Sequence, residues 1–307
     1  MKISTTLFFD RSTKMLGEVQ SNLSQTQEQL STGKQIVKPS DAPDKAALVT
    51  RLEREIARQT GYQNTLKSVN VRLTAEETAL KNTSDVLFRI KELTVQAAND
   101  TLSAQDRQSV ALEISALRDQ VLSLANSQDS NGNYLFAGGR AGQPAFGKDA
   151  SGRVYYQGDQ TRMQVNVGDN RRMNLNMPGS DAFVRIVRTD AKGDQTGVDF
   201  FQALDDLTAA IQGGDHTTIQ RGVGEIDKLQ AGISEALGQV GSDLTVVDMQ
   251  NNVLDQVMLR LKSTRSDVED LDYTEAITKM NKEQLALEAA QSSFAKISQL
   301  SLFKYLG

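Results

Sequence analysis

Leucine recurs every seventh residue over much of this chain, and no other feature limits its fold so severely. Leu16, Leu23 and Leu30 form a first series, with Val19 and Thr26 between them. Pro39 and Pro43 interrupt it. A second series then runs through Leu52, Leu66, Leu73, Leu80 and Leu87, with Leu48, Tyr62, Val69 and Ile90 at the companion positions. Glu55, Gln59 and Glu76 fall inside that series as polar interruptions, and Gly61 is a place where it can loosen. In a straight α-helix a seven-residue repeat drifts by about 20° per heptad, so a sustained one requires helices that wrap around one another. From Leu48 to Ala97 the pattern covers 50 residues, about 75 Å of helix at 1.5 Å per residue if unbroken. A third run, Val110, Ile114, Leu117, Val121 and Leu124, opens with Ser103-Ala-Gln-Asp106, a capping arrangement.

The C-terminal arm mirrors the first. Ile219, Val223, Ile226, Leu229 and Ile233 make one stripe, and Leu244, Val247, Leu254, Met258 and Leu261 another. The last segment carries two: Ile277, Met280, Leu287, Ala290, Phe294, Ile297 and Leu300, and separately Leu285, Ala289, Leu302 and Leu306. A terminal helix of a monomer normally buries one face. Two apolar faces call for a second partner, either other subunits or further helices of the same bundle. Each large apolar side chain buried contributes roughly 1.5–3 kcal/mol, so a dozen such positions suffice to hold an assembly.

Between the arms the character changes. Residues 131–197 hold 11 of the 22 glycines, 2 of the 4 prolines and 6 of the 16 aromatic residues. Met163, Val165 and Val167 alternate with Gln164 and Asn166, and Met173, Leu175 and Met177 alternate with Asn174 and Asn176. Together with Tyr134–Phe136, Val154–Tyr156 and Phe183–Val187, these predict a small β insert of about five strands joined by glycine turns.

Chemistry-bearing groups are scarce. Cysteine and tryptophan are absent and His216 is the single histidine, which excludes a disulfide scaffold, a thiol nucleophile and any site with two histidine ligands. The charge is −5, from 34 basic and 39 acidic residues. That leaves no basic footprint for nucleic acid. No run approaches the ~20 apolar residues that span a bilayer. The apolar stretch near Leu7 is also too short for a secretory signal, which points to the cytosol or to export without a cleavable signal.

The motifs that resemble sites fail on their neighbours. Gly142-Gln-Pro-Ala-Phe-Gly147-Lys148 has P-loop spacing, but Asp149 replaces the magnesium-binding hydroxyl and a turn into a strand follows. Asp129-Ser-Asn-Gly-Asn133 lacks the spacing and final glutamate of a calcium loop and reads as the loop closing a helix. The pairs Glu76/Glu77 and Asp205/Asp206 point about 100° apart on a helix, so neither converges on a substrate; both read as solvated faces. Asp215 is placed to cap a helix, with His216 exposed in its first turn. The sequence therefore offers no catalytic, cofactor-binding or metal-binding residues, and the expected cofactor is none.

At the chain ends the motifs become specific. Leu30-Ser31-Thr32-Gly33-Lys34, followed by Pro39-Ser40-Asp41-Ala42-Pro43, resembles the L-S-T-G-K…P-S-D-D-P signature of flagellar hook–filament junction proteins of the hook-associated protein 3 family, relatives of flagellin. Tyr134, Phe136 and Gly138 match that family's G-x-Y-x-F-x-G segment, and Ser301-Leu302-Phe303-Lys-Tyr-Leu306 is similar to its S-L-F-x-Y-L ending. Ala42 and Lys304 depart from the usual residues and put a local cap or contact in question.

The resemblance implies a mainly α, flagellin-like fold: a long antiparallel helical hairpin, or coiled-coil rod, built from both chain ends, with a small β-rich domain at the tip. The expected division is a terminal coiled-coil assembly domain of residues 1–40 with 272–307, a helical rod of 41–130 with 198–271, and an outer β-rich domain of 131–197. The resemblance further implies a structural role, with no enzymatic activity, in a homo-oligomeric ring between hook and filament. Its partners would be the hook-side junction protein, flagellin and a cytoplasmic export chaperone, with neither nucleic acid nor membrane among them. It also implies type III export to the extracellular flagellum. The assembly interface is expected at Leu16, Val19, Leu23 and Leu30 in the first arm, and at Ile277, Met280, Leu287, Phe294, Ile297 and Leu300 in the last. A short flagellin is the nearest alternative; an enzyme or a signalling coiled coil stands further off.

Overall fold

The computed structural model describes residues 2–99, 102–189 and 195–306. The helices are α1 (Lys2–Thr32), α2 (Pro43–Ala97), α3 (Ala104–Ala125), the short α4 (Gly179–Ala182), α5 (Phe200–Gly213), α6 (His216–Glu269) and α7 (Tyr273–Leu306). Between α3 and α5 lie six short strands, β1 (Phe146–Lys148), β2 (Val154–Tyr156), β3 (Gln164–Gly168), β4 (Arg171–Asn174), β5 (Ile186–Thr189) and β6 (Gln195–Val198). The chain forms two compact units. One comprises Met1–Gln59 with Gln256–Gly307, and the other Thr60–Asp255.

In the first unit α1 packs on α7 along the leucine repeat. Leu16, Val19, Leu23 and Leu30 are half-buried and Thr26 is fully buried. From α7 come Ala276, Met280, Glu283, Leu287, Ala290 and Phe294, spaced four and three residues apart by turns. Thr26, the polar member of the α1 stripe, donates from Oγ1 to Glu283 Oε2 at 2.8 Å. A hydroxyl and a carboxylate thus satisfy each other inside the seam.

In the second unit the heptad positions of α2 face inward. Leu66, Val69, Leu73, Leu80, Leu87 and Ile90 are buried, as are Ile114 and Val121 of α3, Leu204, Leu207 and Ile211 of α5, and Ile219, Ile226, Leu229, Ile233, Val240 and Val247 of α6. Helix α2 continues through Gly61 without a break. Helix α3 begins with the expected capping box, Ser103 Oγ accepting from the Asp106 N–H while Asp106 accepts from the Ser103 N–H. The strands form three antiparallel pairs, β1–β2, β3–β4 and β5–β6. They have no separate core, because Phe136, Phe146, Val154, Val167, Met173, Phe183 and Ile186 join the helical core, and Phe146, Phe183, Phe200 and Phe201 meet ring to ring.

Several local expectations are corrected. Tyr134–Phe136 is not a strand. Tyr134 makes only an isolated antiparallel bridge with Gln128; the carbonyls of Tyr134 and Leu135 accept from the Arg72 guanidinium at 3.2 and 3.0 Å, and the Phe136 carbonyl accepts from the Gly179 N–H. Phe146–Lys148, inside the P-loop look-alike, is a strand, and Lys148 ends it instead of opening a helix. Phe183 caps α4, and its strand starts only at Ile186.

The acidic pairs are not simply solvated. Asp205 accepts from Arg118 Nη2 at 2.9 Å, Asp206 accepts from Arg188 Nη1 at 2.6 Å, and Glu76 is fully buried. Arg188 also forks onto both oxygens of Glu225, at 2.7 and 2.8 Å, and these carboxylates hold its guanidinium more firmly protonated than usual. Asp215 accepts from the Thr218 N–H at 3.2 Å at the start of α6, as expected of a cap, while His216 is half-buried, not exposed.

Candidate assembly interface

The first unit is defined by two helix breaks that face each other. Helix α1 ends at Gly33, whose φ of +69° is left-handed and whose N–H donates to the Gln29 carbonyl at 2.8 Å. A Cβ at this position would lie 2.8 Å from the Tyr273 hydroxyl, which an alanine would push aside; it is the left-handed backbone that calls for glycine. The chain then crosses the α6–α7 break as a two-residue antiparallel bridge between Lys34 and Asp270. The Gln35 N–H donates to the Glu269 carbonyl at 2.7 Å, and the Leu271 N–H to the Gly33 carbonyl at 3.0 Å. Lys34 Nζ lies 2.5 Å from Glu269 Oε1, a hydrogen-bonded ion pair that raises the lysine above its ordinary pKa. Asp272 then caps α7, accepting from the N–H groups of Thr274 and Glu275 at 2.8 and 3.2 Å.

The second half of the N-terminal motif closes the turn into α2. Asp41 Oδ2 accepts from the Lys38 N–H at 2.8 Å, and the Asp41 N–H donates back to the Lys38 carbonyl at 2.9 Å. Pro39 and Ser40 are the exposed residues so enclosed. Pro43 is the first residue of α2, where its missing N–H costs nothing. Ala42 offers only its carbonyl, which accepts from the Ala46 N–H at 2.8 Å; the side-chain cap that an aspartate would supply here is absent. Ser31 and Thr32 are exposed in the last turn of α1, with Thr32 Oγ1 donating to the Glu28 carbonyl at 2.9 Å.

In the second unit, Tyr134, Phe136 and Gly138 are held at the end of the loop from α3. Arg72 Nη1 donates to Asp129 Oδ2 at 3.1 Å, and Asp129 Oδ1 accepts from the N–H groups of Asn131 and Asn133. Burial pushes the Asp129 carboxyl up, but the Asn133 and Asn131 amides together with Arg72 hold it below its ordinary value. Gly138 has a φ of +68°, and a Cβ there would overlap the Asp159 backbone.

Of the expected interface residues, Leu16, Val19, Leu23, Leu30, Met280, Leu287 and Phe294 meet in the α1–α7 seam, where Phe294 packs edge-on against Phe9 with ring centroids 5.4 Å apart. Ile277 does not join them. The alternating spacing runs back from Met280 to Ala276, which is 4% exposed, and turns Ile277 about 100° away, leaving it 46% exposed. The side chains of Ile297, Leu300, Ser301, Leu302 and Phe303 lie outside the described residues.

The second α7 stripe stays open where it is described: Leu285 is 68% exposed and Ala289 is exposed. Met15 of α1 is 62% exposed. Three contributors escaped the sequence reading. Ala276 and Glu283 were signalled by the strict four-three spacing, and Glu269 by none. Among the described residues no cluster of three or more His, Asp or Glu side chains is placed to hold a metal ion, and no helix is long and apolar enough to cross a membrane.

Comparison with known proteins places this geometry. The family model for the bacterial flagellin N-terminal helical region matches residues 3–141, and that for the C-terminal helical region matches residues 223–306. Flagellar hook-associated protein 3 of Salmonella typhimurium is 27% identical across 99% of both chains. A flagellin of Bacillus subtilis is 26% identical across 92% of this chain and 93% of its own. The crystal structure of FlgL from Xanthomonas campestris superposes with a TM-score of 0.62 at 25% identity, covering 71% of this chain and 99% of that one. The two helical ends, the paired helix breaks and the end-to-end match to hook-associated protein 3 together show that this chain belongs to the flagellin family, in its hook-associated protein 3 branch.

Proposed function

We propose that the chain is a structural junction subunit of the bacterial flagellum, joining hook to filament and supporting the assembly of flagellin beyond it. The observation that carries this reading is the unequal use of α7. One stripe closes on α1 within the chain, while Leu285 and Ala289 on another remain exposed. An apolar side chain as open as Leu285 on a terminal helix suits burial against a neighbouring subunit. The match to a hook-associated protein along 99% of both chains supports the position at the hook.

In this role the subunits form a ring and act by contact, without catalysis. The hook-side junction protein lies on one face and flagellin on the other. The subunit reaches the extracellular flagellum through the flagellar export apparatus, escorted to it by a cytoplasmic chaperone. A second reading, a short flagellin, is supported by the match to the B. subtilis flagellin. One strain separates the two. Deletion of the gene with hooks retained should spill flagellin into the medium if the chain is the junction, whereas a strain left without any filament protein would establish it as the flagellin.

A further inference from the structure

Glu76 occupies a core position of the α2 heptad, seven residues after Val69 and fourteen before Ile90, and it is 0% exposed. Among the described residues neither carboxylate oxygen has a hydrogen bond of ordinary geometry, and the Met177 N–H and the Arg72 side chain favour the ion without offsetting its burial. The cation beside it, Arg72, brings its Nε only to 3.5 Å from Oε1, while its Nη1 and Nη2 donate to Asp129 and to the carbonyls of Tyr134 and Leu135. Glu76 opens instead on a void of about 10 Å³, lined also by Leu73, Arg162, Asn176, Gln239 and Asp243. That is space for about one water molecule.

Each polar neighbour around the void already has a partner. Arg162 pairs with Asp181 at 2.7 Å, Gln239 donates to Asp243, and Asn176 bonds the Met163 N–H and the Thr161 carbonyl. Asp243, facing from α6, adds a second negative charge. A carboxylate ion so placed would be desolvated and poorly compensated.

We propose that Glu76 enters the folded chain as a neutral carboxylic acid and serves as a proton-operated latch between α2 and α6: with the proton bound the seam is closed, and its loss in alkali loosens the seam. Burial pushes the carboxyl up to about 8. The Arg72 charge and the Met177 N–H pull the other way, and Asp243 adds to the rise. Between the ordinary glutamate value of 4.5 and that raised value, the folded chain keeps a proton that the unfolded chain has lost. Stability therefore falls as pH rises through this window and levels off above it.

The test is urea unfolding of the full chain and of Glu76→Gln from pH 5 to 9.5, with the Glu76 side-chain carboxyl carbon of the wild-type chain titrated by NMR. The folding constant of the wild-type chain should fall relative to that of the variant by up to about tenfold per pH unit between about pH 5 and 8, and the carboxyl resonance should titrate near the upper end of that range. Parallel stability profiles, or a carboxyl that titrates in the ordinary glutamate range, would overturn the proposal. If the variant does not fold, the wild-type titration decides alone. Neither outcome bears on the junction role, which rests on the first unit.

Discussion

Two single residues concentrate the constraints on this chain. Gly33 combines a left-handed backbone with the Tyr273 hydroxyl lying where a β-carbon would sit. Gly33→Ala should lower stability by about 1–2 kcal/mol from the backbone alone, read as an earlier thermal transition by circular dichroism. A variant that melts with the wild-type chain would refute the argument. Arg72, with a side chain only 7% exposed, holds Asp129 and two carbonyls at once. Arg72→Ala leaves the two carbonyls without this donor and Asp129 with only its Asn131 and Asn133 partners, and the expected loss is about 3 kcal/mol in denaturant unfolding. Gly33 was conspicuous in the sequence because it sits in a motif. Arg72 was not, because its partners lie 57 to 63 residues away and nothing in the local pattern points to them.

For whole elements, periodicity proved the strongest guide. The leucine repeat located α1, α2 and α3, and in the structure the polar residues on its heptad positions, Gln59, Glu76 and Thr83, are buried. Reading Glu76 as solvated was the error of judging a residue by its charge and not by its register. Ile277 lies outside the α1–α7 seam, where the small Ala276 takes the position that the spacing requires. Short strands were the least legible. Three or four residues give too few alternations to fix a boundary, and in Tyr134–Phe136 the pairing stops at a single bridge to Gln128 while an arginine takes two of the carbonyls. The α3 cap, by contrast, is a purely local feature and was read correctly. Ser103→Ala should cost about 1 kcal/mol, measurable as a lowered urea midpoint; an unchanged midpoint would mean that the box contributes nothing to the fold.

At the scale of the molecule, the two stripes of α7 lead to separable predictions. Phe294→Asp should both weaken the α1–α7 seam, through the lost Phe9 contact, and leave a soluble monomer unable to enter the junction. Leu285→Asp changes a side chain that is already open to solvent. Its thermal transition should match the wild-type chain while incorporation into hook–filament junctions fails. Normal filament growth on a strain carrying Leu285→Asp would remove the second stripe from the assembly interface.

The hydrogen bond from Thr26 to Glu283 spans 257 residues, and that separation bears on the order in which the chain folds. The second unit is a continuous stretch, Thr60–Asp255, whereas the first needs both ends of the chain. Pairing α1 with α7 while the middle is unfolded means closing a loop of that length. Pairing them after the middle has collapsed closes a far shorter effective loop, at lower entropic cost. Loop-closure entropy therefore favours an α1–α7 seam that forms after the middle has collapsed, and a chain whose α7 has yet to emerge holds α1 without its intramolecular partner.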